Sequence, residues 1–262
     1  LSCDNETKLE TGPLRKWRGY AREAMFNSIH FTPVGSDIRA GIPKVDGEVQ
    51  AAALGSLEKR WGRLEQVVRD IERINLADLP SADETAVFVG PTAYNFINVF
   101  LRPEALLDGL GQALSEHPLH VVRCCSRADA LAVFAILSSH LAYWWWHSHG
   151  DGFHVSRRFI ADLPFGMEAF TPSSRDTLAR HGADLWELIE SNPIVSLNRG
   201  KTSIAYTPNG HDVVRRKIDE TLAGLAGLSE AFVDELQQFT AHTVSATLRG
   251  RSGIDTNKKG TT

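Results

Sequence analysis

The chain has 262 residues, 42% hydrophobic and 23% charged; that is long enough to bury a real core and excludes a disordered or fibrous chain. A formal net charge of −4 excludes a uniformly basic nucleic-acid coat. Three cysteines, two of them adjacent at Cys124-Cys125, exclude a disulfide framework.

The charge is uneven along the chain. Lys8 to Lys44 carries seven bases against three acids, and Pro193 to Lys217 five against one, whereas Asp46 to Thr85 carries nine acids against five bases. One positive face is all that a DNA-binding protein needs, although ordinary solvated surface charge explains the same pattern. The opening Leu1-Ser2-Cys3-Asp4-Asn5-Glu6 is polar and shows no signal peptide, and it lacks an initiator Met, so a fragment of a soluble, cytoplasmic protein is expected.

Residues 1–19 are polar, with Trp17 set among Arg15, Lys16 and Arg18, a cluster that suits a phosphate backbone or packs back on its own domain. A short strand is expected at Ser28–Phe31, then a Gly- and Pro-bearing loop over Thr32–Gly47. Leu57, Trp61, Leu64, Val68 and Ile71 recur at steps of four and three, predicting an amphipathic helix over Ser56–Ile74 with a Glu65–Arg69 pair. A polar connector follows over Ala77–Glu84. Ala86–Gly90, Asn95–Phe100 and His120–Cys125 read as strands, and Asn95 and Asn98 suit either base edges or turn caps.

Ser126 and Asp129 form an S-x-x-D start for a helix whose apolar run, Ala130–Trp146, predicts burial on most sides. The run contains His140 and two serines and falls short of the roughly 20 residues of a spanning helix. No membrane is expected as a partner. In Tyr143-Trp144-Trp145-Trp146, three indoles about 100° apart imply that at least one ring reaches a surface or cleft. The turn His147-Ser148-His149-Gly150-Asp151-Gly152 leads to His154-Val155-Ser156-Arg157-Arg158 and a short segment stopped by Pro164. Thr171-Pro172-Ser173-Ser174 starts a helix over Arg175–Glu190, with Leu178, Leu185, Trp186 and Ile189 inward. A polar, basic loop over 191–203 carries Asn198, Arg199 and Lys201. The last helices point Val213, Val214, Ile218, Leu222 and Leu225 inward, then Phe232, Leu236 and Phe239 after a Ser229 cap; a disordered tail is expected from Arg249.

Two blocks together resemble a known family. The first is Ala135-Ile136-Leu137-Ser138-Ser139-His140-Leu141-Ala142-Tyr143-Trp144-Trp145-Trp146, followed by Asp151-Gly152-Phe153-His154, Arg157-Arg158-Phe159-Ile160 and Leu163-Pro164; the second is Val214–Glu220 with Gly227-Leu228-Ser229-Glu230. In order and spacing they resemble the C-terminal, target-recognising part of bacterial N6-adenine DNA methylases of restriction–modification systems, including the type fused to an endonuclease. They cover about a quarter of the chain. The resemblance implies a module that binds double-stranded DNA. It belongs to an enzyme using S-adenosylmethionine, with the catalytic domain upstream or on another chain.

The residues fit that absence. The chain has neither a Gly-bearing strand–turn for S-adenosylmethionine nor an Asn/Asp-Pro-Pro-aromatic motif; Asn192-Pro193-Ile194-Val195 lacks the second proline and the aromatic. No cofactor is expected in this chain. The histidines at 140, 147, 149 and 154 lack the spacing of a zinc site.

The expected fold is α+β and helix-rich, with a small mixed or antiparallel sheet and a central buried helix. It is divided into an N-terminal segment (1–85), a recognition-like domain (86–248) and a tail (249–262). As a DNA-recognition module it would contact phosphates through Arg157, Arg158, Arg199, Lys201, Arg215 and Arg216. His149, His154 and Asn198 would read base edges, with Tyr143 or Trp146 near a distorted step. The alternative is a scaffold subunit that docks a methylase or nuclease through its amphipathic helices. A standalone enzyme has no catalytic constellation to support it.

Overall fold

The computed structural model describes residues 9–13, 31–34, 42–60, 62–75, 78, 83–93, 96–108, 110, 118–166, 170–208 and 210–252. Trp17, Ser28–His30, Trp61, Asn95 and the tail from residue 253 lie outside them. The fold is α+β, as expected, with antiparallel sheets among the helices. β1 (Leu9–Thr11) pairs with β2 (Thr32–Val34), within the stretch expected to be a loop. The central sheet has the order β3 (Asp70–Asn75), β7 (Pro118–Arg123), β4 (Ala86–Val89), β5 (Val99–Phe100). β4 is buried along its whole length, as a strand of four apolar residues inside a sheet should be. The boundary expected at residue 85 runs through this sheet, since β3 lies before it and pairs along its length with β7. The strand expected from Asn95 is shorter, because Phe96, Ile97 and Asn98 precede β5 outside the ladder.

α1 (Gly47–Arg60) ends before the segment expected to continue it. Leu57, Leu64 and Ile71 are all buried, but from three elements: α1, a 3-10 turn at Leu64–Gln66, and β3. The apolar spacing is real and the single helix is not. Its break is stitched to a distant segment: Leu64 donates to the Leu163 carbonyl at 2.9 Å, and a Cβ on Gly166 would stand 2.6 Å from the Gly62 backbone. Glu65 and Arg69 therefore share no helix.

The long apolar run is two helices, α2 (Arg127–Leu137) and α3 (His140–His149). Ser126 caps α2 through the Asp129 amide, as its position predicts. At the break, Ser139 Oγ accepts from the Ala142 amide at 2.9 Å and donates to the Ile136 carbonyl at 2.7 Å, the local bonding by which serine competes with a continuous helix. α2 lies against β4 and α5 (Pro172–Glu190), and α3 is enclosed by α1, α6 (Asp212–Ala226) and α7 (Glu230–Ser252). α7 runs past Arg249, where the tail was expected to begin. That enclosure leaves no indole on open surface, and of the expected surface or cleft positions only a cleft wall is reached, by Trp145 and Trp146. Trp144, Trp145 and Trp146 are all buried, because a neighbour lies in each direction. Trp144 donates to Gln50 Oε1 and meets the Phe232 edge; Trp146 donates to the His154 carbonyl; Trp145 is covered by the His149 ring at 4.0 Å.

The segment 191–203 is a hairpin rather than a loop. β8 (Ile194–Asn198) and β9 (Lys201–Ala205) pair in register around Arg199-Gly200, and β6 (Ala105–Leu107) completes the order β6-β9-β8. Val213, expected in the core, is 76% exposed at the start of α6, whereas Val214 packs against the core.

Candidate functional site

The most site-like feature is an open cleft of about 730 Å³ between the end of α3, the turn after it, and α4 (Arg157–Ala161). Its walls include Trp145, Trp146, His149, Asp151, His154 and Arg158, with Glu58 and Arg63 arriving from the α1 side. The sequence reading named Trp146, His149, His154 and Arg158 of these.

The turn is tightly built. Asp151 Oδ1 accepts the amides of Phe153 and His154 at 2.8 and 2.7 Å, and Gly152 takes a positive φ of 75°. A short bridge fixes its far end: the Ala93 amide donates to the Phe153 carbonyl and the Val155 amide to the Pro91 carbonyl. Behind the turn, Lys44 Nζ donates to the Gly150 carbonyl at 2.6 Å, placing a cation at the negative end of α3. Burial lowers the Lys44 pKa, against the pull of Asp151.

Asp151 Oδ2 also lies 2.6 Å from His154 Nδ1. The His154 ring, with the Phe153 and His154 amides, holds the Asp151 carboxyl at about 2. An ionised carboxylate only accepts, so Nδ1 is the donor and Nε2 of the exposed ring faces outward. Arg158 extends beside it, its Nε 3.2 Å from Asp162 Oδ2 and its side chain 87% exposed. Arg63 Nη1 donates to the Asp162 carbonyl at 3.0 Å. The cleft thus offers an imidazole nitrogen and two guanidiniums among three carboxylates, Glu58, Asp151 and Asp162, a set that hydrogen-bonds polar groups.

The remaining expected residues fall into two groups. Arg157, 3.8 Å from Asp70, stands exposed next to the cleft residues, and Asn198, Arg199 and Lys201 are exposed on the hairpin. Four others do not fit direct contact. Tyr143 is 1% exposed and stacks on Phe96 at 4.7 Å, its hydroxyl without a hydrogen bond among the described residues and its pKa pushed up by burial. Trp146 is equally buried, and it shapes the cleft wall rather than projecting into it. Arg215, 1% exposed, is a core residue. Arg216 is spent on Glu220, Asp234 and Gln237, joining α6 to α7. A pair of basic neighbours in a sequence does not reveal that one points into a helix bundle.

Sequence reasoning missed Arg63 and Glu58, which lie about ninety residues from the turn and carry no local signal. Asp151 was legible in principle, since an Asp three residues before a His across a Gly is a turn signature. Among the described residues no group of three or more His, Cys, Asp or Glu side chains is placed to hold a metal ion. Among them, too, no helix is long and apolar enough to cross a membrane. Comparison with protein-family models, curated proteins and solved structures returns no match for this chain.

Proposed function

We propose that this chain is the DNA-binding, target-recognition region of an N6-adenine DNA methyltransferase of a restriction–modification or related phage-defence system. It works with a catalytic domain or subunit that carries the S-adenosylmethionine site. One observation carries the reading: the block bearing the family resemblance folds as one unit around an open cleft. Its polar residues His154 and Arg158 stand exposed there, with Arg157 beside them. Double-stranded DNA is the partner that such a set suits, with Arg157 and Arg158 on phosphates and His154 Nε2 at a base edge. Asn198, Arg199 and Lys201 stand exposed on the hairpin.

The test is fluorescence-anisotropy binding to duplex DNA across a salt series. Affinity should fall linearly in log–log form, and Arg157→Ala/Arg158→Ala should flatten the slope by about 2. No binding at low salt would discard the reading. The scaffold alternative would then lead, favoured by the apolar side chains exposed on β8.

A further inference from the structure

β8 is the outer strand of its sheet, with no strand beside its free edge among the described residues. All five of its residues are exposed, Ile194 at 56%, Val195 at 62% and Leu197 at 76%. An exposed edge with three large apolar side chains is a pairing surface. The phase of the hairpin tells which groups it offers. Arg199 and Gly200 both have positive φ, 51° and 77°, the signature of a two-residue type I′ turn. The closing pair Asn198–Lys201 therefore exchanges both backbone bonds, and so do Ser196–Ser203 and Ile194–Ala205. That leaves the amides and carbonyls of Val195 and Leu197 directed out of the sheet. The same alternation sets their side chains on one face, beside Ile204 and Thr202.

We propose that β8 pairs antiparallel with β8 of a second copy of this chain, about a two-fold axis through Ser196. In this register Val195 of each copy lies opposite Leu197 of the other and exchanges both backbone bonds. The Val195 and Leu197 side chains of both copies then meet on one face, continuous with Ile204, which packs against the core. Ser196 faces its own copy at the non-hydrogen-bonded position, where Cα atoms stand about 4.5 Å apart. Pro193 has no N–H with which to extend the ladder, so pairing is confined to the strand. Charge favours a second copy as the occupant. The register carries the basic tip, Arg199 and Lys201, past Ile194 of the second copy to the C-terminal end of its α5. That end bears Glu187 and Glu190, the latter paired with Arg102 at 2.8 Å, and the helix has no base of its own in its last turn. It is also the negative pole of the helix. The two basic tips lie at opposite ends of the joint and do not face each other.

Light scattering over a concentration series should show a dimer, with Val195→Lys/Leu197→Lys raising the dissociation midpoint by roughly a hundredfold. Both residues are exposed, so folding is retained, which circular dichroism checks. Ser196→Cys, with Cys3 and Cys125 changed to Ser, should form a disulfide-linked dimer under mild oxidation, since about 4.5 Å lies within disulfide reach. Ser203→Cys, on the interior strand, should not. A chain that is monomeric throughout and does not cross-link at 196 overturns the proposal. So does a dimer that survives the lysine pair without cross-linking. A monomer whose duplex affinity drops in Val195→Ser/Leu197→Ser puts DNA on this edge and overturns it too. The DNA reading is judged separately at Arg157 and Arg158, so either can fail alone.

Discussion

Burying a guanidinium costs several kcal/mol unless its donors are used, and Arg215 uses them. Its Nε donates to the Ser138 carbonyl at 2.8 Å, its other nitrogens donate to the Gly210 and Pro208 carbonyls, and Phe96 lies under it at 4.8 Å. One turn further along α6, Asp219 accepts the Leu141 amide at 3.2 Å and lies 2.7 Å from His140 Nδ1. A cation therefore closes the negative end of α2 and a carboxylate the positive end of α3, both supplied by one helix. Burial draws the Arg215 pKa down to about 10, which still leaves it charged at neutral pH. Arg215→Met should cost about 3 to 5 kcal/mol in urea unfolding, because it strands three carbonyls and removes a buried positive charge that acts on Asp219. The same variant, where folded, should bind duplex with unchanged affinity. A lost affinity with intact stability would instead return Arg215 to the DNA contacts.

At the scale of elements, the joint between α2 and α5 depends on Gly182. A Cβ there would stand 2.2 Å from the Leu131 carbonyl oxygen, which is backbone and cannot swing away. Gly182→Ala should force the helices apart and cost about 1 to 3 kcal/mol, although alanine favours a helix. Thermal unfolding measures it, and a melting temperature equal to or above that of the parent would show that the close approach is not maintained. Helix ends of this kind were legible where the signal is local: the Ser126 and Thr171 caps hold, and Phe232 donates to Ser229 at 3.2 Å. They were illegible where the cause is remote. At the break the local signal, Ser139, sits inside the long apolar run. The groups that close the two helix ends, Arg215 and Asp219, lie some eighty residues on, so two helices read as one. Leu57, Leu64 and Ile71 kept helical spacing while supplying three elements to one core. In the candidate site, the turn around Asp151 and His154 was local and readable. Its opposite wall at Glu58 and Arg63 arrives through tertiary contact alone.

The molecule as a whole carries −4 at pH 7 with its histidines neutral, and its isoelectric point is about 6.2. A net negative body approaching DNA is repelled at long range even while local cations attract, and the two effects separate by pH and salt. Between pH 8 and 6 the charge that changes is chiefly histidine, of which there are ten. Burial holds His120, His181 and His211 below the ordinary value, so these three gain protons at lower pH than a free imidazole. The sign is fixed: acidification adds positive charge, removes repulsion and should raise duplex affinity by about threefold to tenfold at low salt. At high salt the long-range part is screened, so the pH dependence should flatten while the contribution of Arg157 and Arg158 persists in part. Anisotropy titrations at pH 6, 7 and 8, each at two salt concentrations, measure this directly. An affinity indifferent to pH at low salt would mean that DNA meets a face shielded from the acidic remainder. An affinity that falls on acidification would mean that hydrogen bonds accepted by imidazole nitrogens matter more than net charge.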